Sequence, residues 1–237
     1  ALMRAEFTAL AAASERTFLT TENRVAHCQS VLAPLGLSSN ISLLPVGAGA
    51  LPTAAMPVAG RLGTFSTLSV GKRIDVVLDA FDVVIDKHPE AELVLLGDYG
   101  SARAQVERML RDHRGAARIH VRGRLSLKDI SREIALLSVY LFPMNTGANT
   151  RSSTLPVALG SGVPVVATRG AETSSSFVDG QNVVIANALE GAAFGEAALR
   201  LLEDPALAAR VSSGGRALFD QQLAWPRAVE RLLDGVT

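Results

Sequence analysis

From residue 61 onward, short dense runs of apolar residues alternate with longer stretches in which apolar residues return every three or four positions. LGTFST (62–67), AELVLLG (91–97), RIHVRG (118–123), SVYLFP (138–143) and VPVVAT (163–168) have the length and apolar density of strands, and VPVVAT reads as a strand buried on both faces. KRIDVVLDAFDVVIDKH (72–88), SARAQVERMLRDH (101–113) and SLKDISREIALL (126–137) carry the helical period, and a short capped helix precedes VPVVAT. Strands alternating with helices of this length are the signature of a parallel sheet covered on both faces. The expected fold class is therefore α/β, a doubly wound parallel sheet. Its ligand should lie beyond the carboxyl ends of the strands, where the loops after Thr67, Gly97, Gly123, Pro143 and Thr168 converge.

Upstream the pattern is less regular. Residues 1–14 are alanine-rich and helical, TFLTT (17–21) is a short β-type run, ENRVAHCQSVLAPLG (22–36) is helical until Pro34 and Gly36, and ISLLPVG (41–47) reads as a strand. GAGALPTAAMPVAG (47–60) has no period and reads as a linker. The expected organisation is a small amino-terminal unit (1–50), a linker (51–60), a ligand-binding sheet domain (61–221) and a closing helix (222–237). FDQQLAWPRAVERLL (219–233) is amphipathic, with Trp225 expected to pack against a neighbour.

Composition narrows the function classes. With 23 basic and 23 acidic residues the chain has no net field to attract nucleic acid or an anionic membrane, so any anion site must be local. No apolar run approaches the roughly 20 residues of a membrane helix, and Arg4 and Glu6 interrupt what would be a signal peptide. A soluble cytoplasmic protein without a transmembrane segment is expected. The chain opens without an initiator methionine and inside a helical pattern, as part of something longer would. Cys28 is the only cysteine and reads as a small apolar filler, and His27, His88, His113 and His120 lack zinc-ligand spacing, so no metal is expected.

Candidate chemistry gathers in three loops. In NTGANTRSSTLPVALGSGVPVVAT, which begins at Asn145, Ser152, Ser153 and Thr154 can each cap a helix and Pro156 fits its first turn. Such a helix start collects free backbone N–H groups and suits a phosphate or diphosphate, and Arg151 adds a planar fork for the same anion. In GTFSTLSVGKRID (63–75), small residues let backbone amides approach a ligand, and Lys72, one of three lysines in the chain, stands beside Arg73 at the helix start. This loop is not a P-loop: Ser66 replaces the first motif glycine, and Arg73 stands where a hydroxyl would bind magnesium. In RGRLSLKDI (122–130), Gly123 and Arg124 at a strand end could hold a flat base, or form a plain turn capped by Ser126. LLGDYGSA (95–102) has Gly97 and Gly100 but no third glycine for a dinucleotide fingerprint. Asp75, Asp79 and Asp82 share one helix flank and read as a solvated face.

These loops, in this order, resemble the carboxyl-terminal, donor-binding domain of GT-B fold glycosyltransferases of the large retaining family called glycosyl transferases group 1. The resemblance rests on GTFSTLSVGKRIDVVLDAF, AELVLLGD, IHVRGRLS, VYLFP, RSSTLPVALGSGVPVVAT and the closing LAWPRAVERLL, and covers residues 61–237, while residues 1–50 look like the end of the acceptor-binding domain. It implies transfer of a sugar from a nucleoside diphosphate donor, UDP or GDP type, to an unidentified acceptor, with retention and with neither a metal nor a further cofactor. It also implies that the closing helix crosses back toward the amino-terminal unit, touching residues 1–40.

Position by position, Lys72 with Arg73 matches the basic site for the diphosphate, Gly123 and Arg124 match the base-holding loop, and Pro143 ends the strand before the donor loop. Lys72 and Arg151 are the expected catalytic cations. Gly63, Thr67, Gly97, Asn149, Ser152, Ser153 and Thr154 complete the expected donor contacts. The sequence departs from the family where an arginine five residues before the lysine is Thr67, and where two glutamates are Asn149 and Val157. Two alternatives follow: a nucleotide-sugar binding module without catalysis, and a Rossmann-type oxidoreductase. The missing Gly-x-Gly-x-x-Gly after the strand ending at Thr67 argues against the latter.

Overall fold

The computed structural model describes residues 2–49, 55–100 and 102–234. Its centre is a six-stranded, all-parallel sheet of β3 (Arg61–Phe65), β4 (Glu92–Leu96), β5 (Ile119–Gly123), β6 (Val139–Phe142), β7 (Val165–Thr168) and β8 (Val184–Ala186), in the order β5-β4-β3-β6-β7-β8. Along β4, Leu93 and Leu95 enter one core while Val94 and Leu96 enter the other. The same alternation sends Val139 and Leu141 one way and Tyr140 and Phe142 the other. Successive side chains point to opposite faces, so a strand buried on both sides must be apolar throughout.

The first core lies under α3 (Ile74–Lys87), α4 (Arg103–Asp112) and α7 (Gly191–Glu203). The second lies under α5 (Leu127–Ala135) and α6 (Thr154–Gly160), and α8 (Pro205–Leu218) contributes to both. The doubly wound parallel sheet expected from the sequence is thus the observed architecture.

Several details differ. The expected helix from residue 72 starts as a 3-10 turn, Val70–Lys72, breaks at Arg73 and resumes as α3. β8, α7 and α8 lie in residues 169–218, where the pattern predicted no element. α7 nests on α3 through close approaches: a Cβ on Gly195 would meet the Val83 side chain, and one on Gly191 would meet Asp79. The aspartate flank of α3 is therefore not a plain solvated face. Asp79 is exposed and touches Gly191 of α7 through its backbone and Cβ, whereas Asp75 holds Arg73, and Asp82 pairs with Arg114 at 2.5 Å and with His113 at 3.3 Å.

The amino-terminal unit comprises α1 (Leu2–Ala13), β1 (Thr17–Leu19), α2 (Glu22–Leu32) and β2 (Ile41–Leu43), with β1 and β2 paired in parallel. Its small core is Ala11, Leu32 and Ile41, with Phe7, Leu19 and Val25 packed on it. Cys28 is part of the same cluster, and burial pushes its thiol pKa up.

The linker region is anchored at its start. Ala48 forms a parallel bridge to Ala224, accepting from the Trp225 amide and donating to the Leu223 carbonyl, while residues 50–54 lie outside the described residues. The closing helix α9 (Trp225–Leu233) follows a π-helical turn, Phe219–Leu223. It is anchored at residues 47–49, where Trp225 and Ala228 lie against Gly47. Trp225, Val229, Leu232 and Leu233 are exposed, so the tryptophan is only half covered by the neighbour it was expected to pack on. No described helix is long and apolar enough to cross a membrane.

Candidate functional site

Strand order reverses between β3 and β6. From there the chain runs outward through β4 and β5 on one side and through β7 and β8 on the other. At such a switch point the loops beyond the two central strands leave in opposite directions and open a crevice. β3 and β6 pair only at Leu62 with Val139 and Gly63 with Tyr140. Beyond that point they part, and a cavity of about 440 Å³ opens between Thr64–Thr67 on one side and Phe142–Met144 on the other.

Lys72 reaches this cavity from the 3-10 turn, and Asn149 and Arg151–Thr154 line it from the donor-type loop. The cavity thus brings together Thr67, Lys72, Pro143, Asn149, Arg151, Ser152, Ser153 and Thr154 of the expected set. Among the described residues its lining holds two cations, Lys72 and Arg151, and no carboxylate. Lys72 is exposed and has no ion-pair partner among the described residues. The Arg151 guanidinium is 40% exposed and lies 3.1 Å from Glu172.

The donor-type loop is shaped by its own polar groups. Asn149 is buried: its amide donates to the Gly147 carbonyl at 2.9 Å and the Thr146 hydroxyl at 3.1 Å, and its oxygen accepts from the Arg151 amide at 3.1 Å. Asparagine here closes a turn around its own backbone, which spends both donors of the side chain. Thr150 is buried too. It donates its hydroxyl to the Thr20 carbonyl at 2.6 Å, and its carbonyl accepts from the Val46 amide at 2.8 Å.

The helix start differs in detail from the expectation. Ser152 supplies the cap, its hydroxyl accepting from the Thr154 and Leu155 amides at 3.3 Å, while Ser153, at the junction itself, makes no side-chain cap bond. α6 is buried from Leu155 to Gly160. Val157, where the resembled family carries a glutamate, packs into the second core and so presents no polar group to the cavity.

Other expected residues lie elsewhere. Arg73 adopts a left-handed conformation, φ 54°, and its fork is bidentate on Asp75 at 2.9–3.1 Å, with further bonds to Asn145 and the Leu189 carbonyl. The Asp75 hydrogen bonds raise the arginine's pKa and occupy the donors a diphosphate would need. Gly63 sits inside β3, where a Cβ would come within 2.8 Å of Leu137 and the Val94 carbonyl, so it is required by packing. Gly97 and Gly123 bridge each other at the ends of β4 and β5, outside the cavity lining. Arg124 is 88% exposed beside Asp98. Ser126 caps α5, its hydroxyl accepting from the Asp129 amide.

Two residues bearing on the site were not picked out from sequence. The Tyr140 hydroxyl lies beneath the cavity, 3.1 Å from both the nitrogen and the oxygen of Phe65. A tyrosine in an apolar strand needs a partner for its hydroxyl, and that need was the available signal. Glu172, which pairs with Arg151 across 21 residues, left no signal in the local pattern.

Several solved structures share this architecture. HepE of Anabaena, crystallised with UDP and glucose, superposes with a TM-score of 0.76 at 16% identity, over 94% of this chain and 63% of HepE. Sucrose-phosphate synthase of Thermosynechococcus elongatus gives 0.75 at 16% identity, over 99% of this chain and 62% of that one. The carboxyl-terminal domain of the group 1 glycosyl transferase LpcC of Francisella tularensis gives 0.61 at 16% identity, over 72% of this chain and 89% of that domain. The chain therefore spans a little under two thirds of the length of HepE and of the synthase. No curated protein sequence matches. The family model for glycosyl transferases group 1 matches residues 57–204, more than half of the chain and both walls of the cavity. The chain belongs to the glycosyl transferases group 1 family.

Proposed function

We propose that the switch-point cavity binds the diphosphate of a nucleotide sugar, and that this chain is the donor-binding part of a glycosyltransferase. One observation carries the reading: Lys72 and Arg151 come from separate loops to one cavity whose lining, among the described residues, holds no carboxylate. Transfer requires the sugar C1–O bond to break, with its electron pair leaving on the β-phosphate oxygen. Fixed positive charge aimed at that oxygen lowers the barrier most. Lys72 supplies a point charge, Arg151 a planar fork, and the Ser152–Thr154 hydroxyls further polar contacts. UDP is the preferred nucleotide because HepE was crystallised with it, and GDP is the alternative. Retention, independence of a metal and a cytoplasmic setting belong to this reading as the family resemblance implies them. The acceptor is unassigned.

A second reading, donor binding without transfer, is favoured by one specific feature. Asn149 is committed to its own turn and Val157 to the core, so neither of the positions where the family has glutamates offers a carboxylate. Isothermal calorimetry with UDP and GDP tests what both readings share, and silence with both nucleotides at millimolar concentration sinks both. Release of free sugar from a UDP sugar by the full-length protein separates them, since the binding module releases none.

A further inference from the structure

The loop after β7 is held between the donor-type loop and the amino-terminal unit. Three consecutive residues at the start of α2 reach it: Glu22 accepts from the Ser175 amide and hydroxyl at 2.9 and 2.7 Å, Asn23 donates to the Ala171 carbonyl, and Arg24 pairs with Glu172 at 3.4 Å. From the other side, the Glu172 amide donates to the Thr146 carbonyl at 3.0 Å. Glu172 therefore has a fixed backbone and a side chain shared between two arginines. Oε1 faces Arg24 at 3.4 Å and Oε2 faces Arg151 at 3.1 Å. Oε2 is buried and makes no hydrogen bond among the described residues, so the Arg151 cation is its compensation and the angle between them is not that of a bond.

We propose that Glu172 is a positioning residue for the anion site: it holds Arg151 at the rim of the cavity, while Arg24 of the amino-terminal unit holds Glu172. The proposal rests on the donor-binding reading above and deepens it. A free arginine must give up its rotamer freedom when it grips a phosphate, and an arginine already tethered by one nitrogen gives up less. The tether uses Nη2, and no side-chain bond from Nε or Nη1 of Arg151 is formed among the described residues. Glu172 also repels an incoming phosphate. Arg24 offsets that repulsion, so the tether dominates while Arg24 is present. The amino-terminal unit thereby becomes part of the donor site, though none of its described residues lines the cavity.

The test is a double-mutant cycle on the whole chain, reading UDP and uridine affinities by calorimetry and folding by thermal midpoint. Glu172→Gln keeps the shape but has one acceptor oxygen for two arginines. It should weaken UDP threefold to tenfold and leave uridine unchanged. In the Arg151→Ala background the same change should have no further effect on UDP. Arg24→Gln, which leaves Glu172 in place with its charge no longer offset, should also weaken UDP, and that loss should vanish when combined with Glu172→Gln. Unchanged or tighter UDP binding in Glu172→Gln with a wild-type midpoint overturns the positioning role and leaves the donor-binding reading standing. Full additivity with Arg151→Ala overturns it equally. If the unmodified protein binds neither UDP nor GDP, the donor-binding reading itself has failed and the proposal with it.

Discussion

The hydroxyl of Tyr140 stands 3.1 Å from both the amide nitrogen and the carbonyl oxygen of Phe65, so a side chain joins β6 to β3 where their ladder has already stopped. Two neighbouring strands can part only if the polar backbone groups they expose find other partners. Here one phenol serves both groups of Phe65, and the cavity opens directly above. Tyr140→Phe removes that partner while keeping the ring in a site with no solvent exposure. An unsatisfied buried backbone group costs about 1–3 kcal/mol. The expected result is a loss of that size in chemical unfolding with an unchanged denaturant slope.

The same residue sets an alkaline limit. Burial pushes the Tyr140 phenol up to about 12, against smaller opposing effects of the Phe65 backbone and the Thr154 and Thr64 hydroxyls. In the unfolded chain a tyrosine loses its proton near pH 10. Below about pH 10 both states keep the proton and the contribution is complete. Between about 10 and 12 the unfolded chain releases its proton first and stability falls. A two-unit difference is at most about 3 kcal/mol. Unfolding free energies at pH 9 and pH 11.5 should therefore converge between wild type and Tyr140→Phe. Tyr99 is also raised by burial, and it is common to both proteins.

Arg151 and Lys72 should separate nucleotide from nucleoside. A hydrogen bond to a charged group contributes about 1.5–3 kcal/mol, so Arg151→Ala should weaken UDP by roughly tenfold to a hundredfold. Uridine, without phosphate, should bind both proteins alike. Lys72→Ala should show the same asymmetry with a smaller loss, because an exposed lysine is a mobile point charge. Equal losses for UDP and uridine would assign Arg151 to the loop's conformation instead of to the anion.

How much of this could be read from the sequence depended on whether the information was local. The alternation at Leu93–Leu96 and the uniformly apolar VPVVAT announce a sheet covered on both faces, because strand period and burial are written in neighbouring residues. Residues 169–218 gave no such signal: β8 is three residues long, and α7 and α8 carry internal glycines whose purpose is contact with another element, as at Gly195 against Val83. Within the site, residue types were readable but engagement was not. Arg73 and Lys72 are adjacent, yet a left-handed turn at Arg73 sends its fork to Asp75 and leaves Lys72 at the cavity. Asn149 occupies the cavity wall while its bonding is internal. Arg151 meets Glu172 only because the loop after β7 folds beside it, a relationship no local pattern encodes.

The last prediction concerns the turn that makes that meeting possible. Gly147 has φ 83°, and a Cβ there would lie 2.5 Å from the Gly170 nitrogen and 3.0 Å from its Cα, so the donor-type loop and the loop after β7 touch backbone to backbone. Gly147→Ala meets two obstacles, a left-handed backbone and a rigid neighbour. Gly180 has a similar φ of 68° with open space where its Cβ would be, so Gly180→Ala meets only the first. Left-handed strain in a non-glycine residue costs about 1–3 kcal/mol, and Gly147→Ala should exceed Gly180→Ala by a further 1 kcal/mol or more, on the order of other small-to-large changes. The two should differ more in binding than in stability. Gly180→Ala should keep wild-type UDP affinity. Gly147→Ala should lose most of it, because separating the two loops moves Asn149 and Arg151 together. Comparable UDP affinity in both variants, measured below their melting temperatures, would show that the contact between the loops does not set the geometry of the site.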